Sequence, residues 1–382
     1  MSREATSRMG RVERAIAAAL RDPVGVARLA GGDLDFTIRS MRRARLLGRL
    51  AWQLRESDTL KQLPRTAIDA LNGSLALAEA RARLARWELN RIGWALSDLP
   101  DVPLIAMKGC AYLLAGTSNA GGRLFADVDL LVPEDDLPAV ESRLAGRGWR
   151  MKELTAYDDD YYRLWTHELP PMMHVEREVE VDLHHNLVMR TARLRPDGSK
   201  LVRDAVAVEG SRFKVLAPVD MVLHAVTHLF FSSEMDDGLR ELVDIDDLLR
   251  DFAEREAGFW ERFWPRAEEL DLARSAFYGL RYANRLLGTP VPEEVLRASR
   301  SGAPPAPVLA IMDRLVPRAL YPQHPDHHSR RTAMARLLLY MRSHWIRMPP
   351  LMLARHLSYK FYLRHVRRVP RPGEPAAPTM QH

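Results

Sequence analysis

GGRLFADVDLLV, residues 121–132, is a strand signal with two carboxylates set into it. In extended backbone, alternate residues share a face, so Asp127 and Asp129 project together while Val128 and Leu130 face the other way. The apolar residues ask for burial, whereas an ionised aspartate resists it unless it is paired or bound to a cation. The stretch therefore predicts a strand at the edge of a core, with a negative face that something must neutralise.

The surrounding sequence supplies the rest of a small mixed sheet. Upstream, VPLIAM (102–107) is a short apolar run followed by Lys108-Gly109 and the small-residue segment CAYLLAG, which reads as strand, tight turn and helix. Downstream, a helix from about Glu134 to Ala145 stops near Gly146 and Gly148, and WRMKELT (149–155) follows as a strand. Asp158 to Asp160 read as a helix start, and MMHVER and EVEVDLHH as two further strands with a turn near Arg177-Glu178.

Helical periodicity flanks this sheet on both sides. TAIDALNGSLALAEARARLARWELNRIGWAL (66–96) spaces Leu, Ala and Trp by three and four residues, and residues 1–98 read as a helical region. The period returns after residue 217 in APVDMVLHAVTHLFF and GLRELVDIDDLLRDFAE, and helices fill most of 257–316. LVPRALYPQHPDHHSRR (315–331) reads as a Pro/His-rich linker, 331–368 as a basic helical region broken at Met348-Pro349-Pro350, and the tail from Pro370 as disordered. The expected architecture is α+β, with a sheet core over 99–216, a helical domain over 217–316, and a linker, basic helices and tail over 317–382.

The chain has 382 residues, 47% hydrophobic and 28% charged, which suits a globular protein with a sizeable core. No apolar run reaches the roughly 18 residues that span a bilayer, so a cytoplasmic protein is expected. The single cysteine, Cys110, excludes an internal disulfide and a cysteine-based metal site. A net charge of +6 is compatible with an anionic partner without choosing one. Six of the 56 basic residues are lysine, which singles out Lys108 beside the turn.

Two adjacent carboxylates repel each other, and a divalent cation with oxygen ligands relieves that repulsion. Mg²⁺ fits because it takes one or two carboxylates and keeps positions for water and phosphate. Asp182, at the end of EVEVD, supplies a third carboxylate, so neighbouring strands are expected to present Asp127, Asp129 and Asp182 to one point. Such a trio suits phosphoryl transfer, the third acid taking the proton of an attacking hydroxyl. The turn at Lys108, Gly109 and Cys110 would offer backbone N–H groups to phosphate at a helix N-terminus. Lys108 and Arg123 would neutralise a triphosphate, with Gly121 and Gly122 as a flexible approach.

In these motifs the chain resembles the DNA polymerase β-type nucleotidyltransferase superfamily. LIAMKG, GGRLFADVDLLV and EVEVDLHHNL are similar to the uncharacterised bacterial nucleotidyltransferase family within it, and the similarity spans roughly residues 66–255. The resemblance implies Mg²⁺-dependent transfer of a nucleoside monophosphate from an NTP such as ATP to an acceptor hydroxyl, with release of pyrophosphate. It implies Asp127, Asp129 and Asp182 as metal ligands and Lys108, Gly109, Cys110 and Arg123 as nucleotide contacts. Cys110 stands where the superfamily often has serine, and a thiol is a poor donor to phosphate. The acceptor is not visible in the sequence. The alternatives are a non-catalytic binding module with the same sheet, or a toxin-like protein that modifies tRNA.

Further residues carry weaker signals. His184 follows Asp182 on the same strand face and is expected to support the site from behind. His224 and His228 lie on one helical face and read as a packed, polar-contact pair, and HPDHH (324–328) as a solvated loop. Asp244, Asp246 and Asp247 read as the polar face of a helix, with an Arg240–Asp244 pair. In the C-terminal region, Arg342, Arg347, Arg355, Lys360, Arg364, Arg367 and Arg368 alternate with Trp345, Tyr359, Phe361 and Tyr362. That pattern suits a helix packed on its own protein, an RNA surface or an anionic membrane surface.

Overall fold

A computed structural model describes residues 10–152, 156–177, 179–231, 235–323 and 329–365. Helices α1 (Arg11–Arg21), α2 (Gly31–Arg43), α3 (Leu47–Glu56) and α4 (Arg65–Ala95) precede the sheet. The central segment runs β1 (Ile105–Ala106), α5 (Lys108–Ala115), β2 (Asp127–Leu131), α6 (Leu137–Gly146), β3 (Trp149–Met151) and α7 (Ala156–Trp165). It continues with β4 (Met172–His174), β5 (Glu180–His184), α8 (Gly198–Arg203), β6 (Val206–Ala207) and β7 (Lys214–Val215). Helices α9 (Pro218–Phe231), α10 (Gly238–Arg255), α11 (Phe259–Glu269), α12 (Ala273–Tyr282) and α13 (Glu293–Ala298) follow, and α14 (Ala306–Leu320), α15 (Arg330–Arg347) and α16 (Pro350–His365) close the described chain.

Among the described residues the strands form one mixed sheet in the order β3-β4-β5-β2-β1-β7-β6. This is the α+β arrangement with helical flanks that the sequence predicts. β2 lies parallel to β5 and antiparallel to β1, so the two carboxylate-bearing strands are direct neighbours at the centre. The apolar face of that pair, Val128, Leu130, Val181 and Leu183, packs with Leu89 and Ile92 of α4 and Val140 and Leu144 of α6. On the other face, Leu131 joins Ile105 and Met107 in a second core with Leu223 and Val226 of α9 and Leu242 of α10. Helix α9 is apolar nearly all round and buried along almost its whole length, as such a helix must be. A third cluster seats α2, α3 and the first half of α4 on Leu239 and Val243 of α10. Burial of these faces is the main term holding the layers together, at about 25 cal/mol per Å² of apolar surface removed from water.

Several expectations need correction. The linker expected from 315 begins later, because α14 continues through Pro317 to Leu320. Met312, Val316, Ala319 and Leu320 of that helix are buried, and their packing outweighs the helix-breaking tendency of proline. β6 and β7 were not foreseen: each is two residues long, too short for an alternation to show, yet β7 extends the sheet by pairing in parallel with β1. The two glycines of the opening stretch are close-packed rather than flexible. Gly122 adopts a φ of +67°, and a Cβ there would collide with the Gly48 backbone of α3. Residues 153–155 of the expected β3 strand, Glu178, the HPDHH segment and the tail lie outside the described residues.

Candidate active site

The Lys-Gly turn is tied directly to the acidic strand. Met107, the last residue before α5, donates its N–H to the Asp129 carbonyl at 2.9 Å. Lys108 then takes a φ of +45°, a left-handed conformation uncommon outside glycine, before the chain enters α5. Non-glycine residues hold such angles only when their surroundings impose them, and functional turns are where this strain concentrates. Gly109 leaves no space for a side chain: a Cβ would lie 2.7 Å from the Arg123 guanidinium and 3.0 Å from Phe125.

The result of this turn is that Lys108 reaches back over β2. Its ammonium donates to Asp129 Oδ1 at 2.7 Å. The Asp129 side chain is 1% exposed, so this is a buried ion pair with Lys108 forming the wall of the site.

The parallel register places Asp129 opposite Asp182 and Asp127 opposite Glu180. Asp129, Asp182 and His184 bring one ligand atom each to within 4.8 Å of the others. Asp127 stands one pleat away, exposed at the mouth, so the expected trio is drawn as a buried Asp129 beside a half-buried Asp182, with a third acid at the rim. His184 is nearer the chemistry than the sequence suggests. Its Nε2 lies 3.0 Å from Asp129 Oδ1, and because a carboxylate only accepts, Nε2 carries the proton.

Charges in this cluster are strongly coupled. Burial alone would push the Asp129 carboxyl up, but Lys108 and the His184 hydrogen bond outweigh it and hold it well below the usual range. Asp182 moves the other way, raised to about 7 by burial and by the neighbouring Asp129 charge. One of its oxygens, Oδ1, is buried and meets no hydrogen-bond donor among the described residues. Asp127 is also raised, by desolvation and by Asp129. Burial opposes the charged form of His184, yet Asp129 and Glu168 raise its pKa overall.

A carboxylate pair with an orphaned buried oxygen fits a hard divalent cation such as Mg²⁺. Oxygen ligands from Asp129 and Asp182, with Asp127 at the rim, are the set such an ion takes. Lys108 occupies part of that electrostatic role in the structure described.

Two cavities meet at Lys108. The larger, about 490 Å³, is lined by Lys108, Gly109, Arg123, Asp127, Arg240 and Asp244 among others. The smaller, about 170 Å³, is lined by Lys108, His167, Glu168, His184, His224 and Arg347 with apolar neighbours.

Other candidate residues fall as follows. Arg123 lines the larger cavity with its guanidinium 3.1 Å from Asp244 and its charge over the Tyr112 and Phe125 rings. Asp244 is therefore a buried counter-ion rather than the polar face expected, and Arg240 pairs with Asp237 instead. Asp247 is likewise buried against Arg49, and only Asp246, bonded to Arg250, keeps the helix-surface pairing. The Arg123–Asp244 and Arg49–Asp247 partners lie more than 100 residues apart in the chain, so no local spacing could have announced them. The Cys110 thiol points into the core, donating weakly to the Asp127 carbonyl at 3.7 Å, and burial pushes its pKa up. Any phosphate contact there falls to the backbone.

His224 and His228 form the expected polar-contact pair: His228 Nδ1 lies 3.0 Å from Glu241, and burial drives His224 well below its usual pKa. Sequence reasoning missed His167 and Glu168. The one usable signal was their adjacency in the loop before β4. In the basic C-terminal region, Arg342 packs over Tyr278 and donates to the Phe230 carbonyl, and Arg347 lines the smaller cavity, so both arginines face their own protein. Among the described residues no helix is long and apolar enough to cross a membrane.

A family model described as an uncharacterised nucleotidyltransferase matches residues 31–288. No curated protein and no solved structure matches the chain.

Proposed function

This chain belongs to the uncharacterised nucleotidyltransferase family, and from that premise we propose that it transfers a nucleoside monophosphate from an NTP to an acceptor hydroxyl in a Mg²⁺-dependent reaction. The observation that carries the proposal is the juxtaposition of Asp129 and Asp182 across β2 and β5, with a buried Asp182 oxygen lacking a donor. Asp127, Asp129 and Asp182 would hold the ion, which when bound supplies positive charge to the phosphates.

The larger cavity is the seat for the nucleotide in this reading. Gly109 keeps the turn open for close approach of phosphate oxygens to backbone N–H groups at the start of α5. Lys108 and Arg123 provide positive charge at the same wall, and both are already positioned by Asp129 and Asp244. The acceptor oxygen attacks the α-phosphorus, the bond to the β-phosphate oxygen breaks, and pyrophosphate leaves. Asp182, facing Asp129 across the parallel register, is the carboxylate suited to take the hydroxyl proton.

The test is pyrophosphate release from each of the NTPs in the presence of Mg²⁺ and cell-extract fractions as the acceptor source. Wild-type protein is expected to release pyrophosphate, and Asp129→Asn and Asp182→Asn to lose that activity while keeping their circular dichroism. Equal release by folded variants would overturn the reading.

A further inference from the structure

We propose that His167, Glu168 and His184 form a second metal site, of the two-histidine, one-carboxylate class that takes a borderline ion such as Zn²⁺, separate from the carboxylate pair. Each residue offers one ligand atom, and these atoms lie within 4.8 Å of one another. Imidazole and carboxylate together suit Zn²⁺ and other late first-row ions, whereas Mg²⁺ prefers oxygen alone.

The independent observation is the state of His184. Its side chain is 3% exposed, and its Nε2–H is committed to Asp129, which leaves Nδ1 as the ring nitrogen that a metal could take. That Nδ1 is buried without a hydrogen-bond donor among the described residues, and it lies 3.3 Å from Glu168 Oε2, an atom that can only accept when ionised. In the metal-free protein a proton on Nδ1 meets that charge, as the raised pKa of His184 reflects, and a bound metal ion would take the proton's place between the two. A metal-ligating histidine whose other N–H is held by a carboxylate is the arrangement that fixes both tautomer and ring orientation. Here Asp129 would hold His184 for a metal at Nδ1. His167 adds to the pattern: its ring centroid lies 5.4 Å from that of His184, and its Nε2 lies 4.0 Å from the same Glu168 Oε2.

The backbone holds these residues in place before any ion arrives. Glu168 forms an antiparallel bridge with His184 at the end of β5. Leu169 donates to the Leu183 carbonyl and His185 to the His167 carbonyl, each at 2.9 Å, and Thr166 Oγ1 donates to the Glu168 carbonyl at 2.7 Å. A loop tied at each of these points presents its ligands with little left to order on binding. All three residues line the smaller cavity of about 170 Å³, which leaves space for a water at an open coordination position.

The experiment uses the full chain, stripped with chelator and titrated with Zn²⁺ in a competing chromophoric indicator under excess Mg²⁺, with Co²⁺ absorption as a second readout. The proposal predicts about one Zn²⁺ per chain. It also predicts that the near-isosteric Glu168→Gln and His167→Ala each weaken binding by at least ~10-fold, the scale on which such sites respond even to loss of a supporting partner. Asp127→Asn, which touches only the rim of the carboxylate pair, should bind Zn²⁺ like wild type. The proposal is overturned if wild type takes up no stoichiometric Zn²⁺, or if folded Glu168→Gln binds as tightly as wild type. Loss of Zn²⁺ in Asp127→Asn would also overturn it, since the ion would then sit at the carboxylate pair. Because Mg²⁺-dependent activity is not read, failure here leaves the nucleotidyltransferase reading to its own test.

Discussion

The two cavities that meet at Lys108 are built from opposite materials. The larger is lined by arginines whose charges are already matched by acids, Arg123 by Asp244 and Arg45 by Asp237. The smaller is lined by histidines, and among the described residues the buried Nδ1 of His167 and that of His184 meet no hydrogen-bond partner. Fixed cations in an open cleft suit a polyanion that arrives with its own counter-ion, because little rearrangement is needed to receive it. Imidazole nitrogens converging on a small, half-enclosed space suit a compact ligand. Lys108 separates the two and is bonded to Asp129, so the wall between the cavities is also the counter-ion of the buried carboxylate.

The largest effect on this division comes from the residue beneath the wall. Asp129→Asn should lower pyrophosphate release by about 10³-fold or more, the scale of losing one preorganised charge in a phosphoryl-transfer site. Steady-state rates in Mg²⁺ give the answer, and a loss under tenfold would place the chemistry elsewhere.

Removing the wall itself should act mainly on stability. Lys108→Met leaves Asp129 buried without its ammonium and is expected to cost about 3 kcal/mol in urea unfolding of the metal-free protein. Added Mg²⁺ should raise the melting temperature of this variant more than that of wild type, because the ion then replaces a missing charge. An equal shift in both proteins would mean that Mg²⁺ binds away from Asp129.

Gly109→Ala probes the larger cavity alone. The added methyl meets Arg123 and Phe125, so a stability cost of about 2 kcal/mol and a higher KM for NTP are expected, with Zn²⁺ binding in the smaller cavity unchanged. A change in Zn²⁺ affinity would show that the two cavities are not independent.

The last effect concerns pH. Asp182 has its folded pKa raised to about 7 from a usual 3.8. The folded state therefore keeps a proton that the unfolded chain has lost, and its contribution to stability is complete below about pH 4 and gone as pH rises through 7. Asp129 is shifted the opposite way, so its contribution changes only at lower pH, outside that window. Metal-free wild type should lose more of its urea midpoint between about pH 5 and about pH 8 than Asp182→Asn, and parallel curves would contradict the assignment.

The comparison also explains what was legible in the sequence. Strand alternation exposed the Asp127 and Asp129 face, and the Lys108-Gly109 turn and the flanking helices followed from local pattern. Period two also placed His184 on the Asp182 face, though not its bond to Asp129. The electrostatic partners were hidden for a common reason: Asp244 reaches Arg123 and Asp247 reaches Arg49 only after α10 folds over the sheet. An aspartate that pairs locally on a helix and one that pairs across the protein look alike in a single sequence. The smaller cavity was hidden more fully, because His167 and Glu168 gain meaning only through their bridge to the end of β5.

The central claim is that Asp129 and Asp182 together receive a metal-bound nucleotide. It is tested most directly by titrating a fluorescent NTP into wild type and Asp182→Asn, each with Mg²⁺ and with EDTA. The account predicts that wild-type binding tightens at least ~10-fold with Mg²⁺ and that the variant loses this gain. Equal affinity in all four titrations would contradict it.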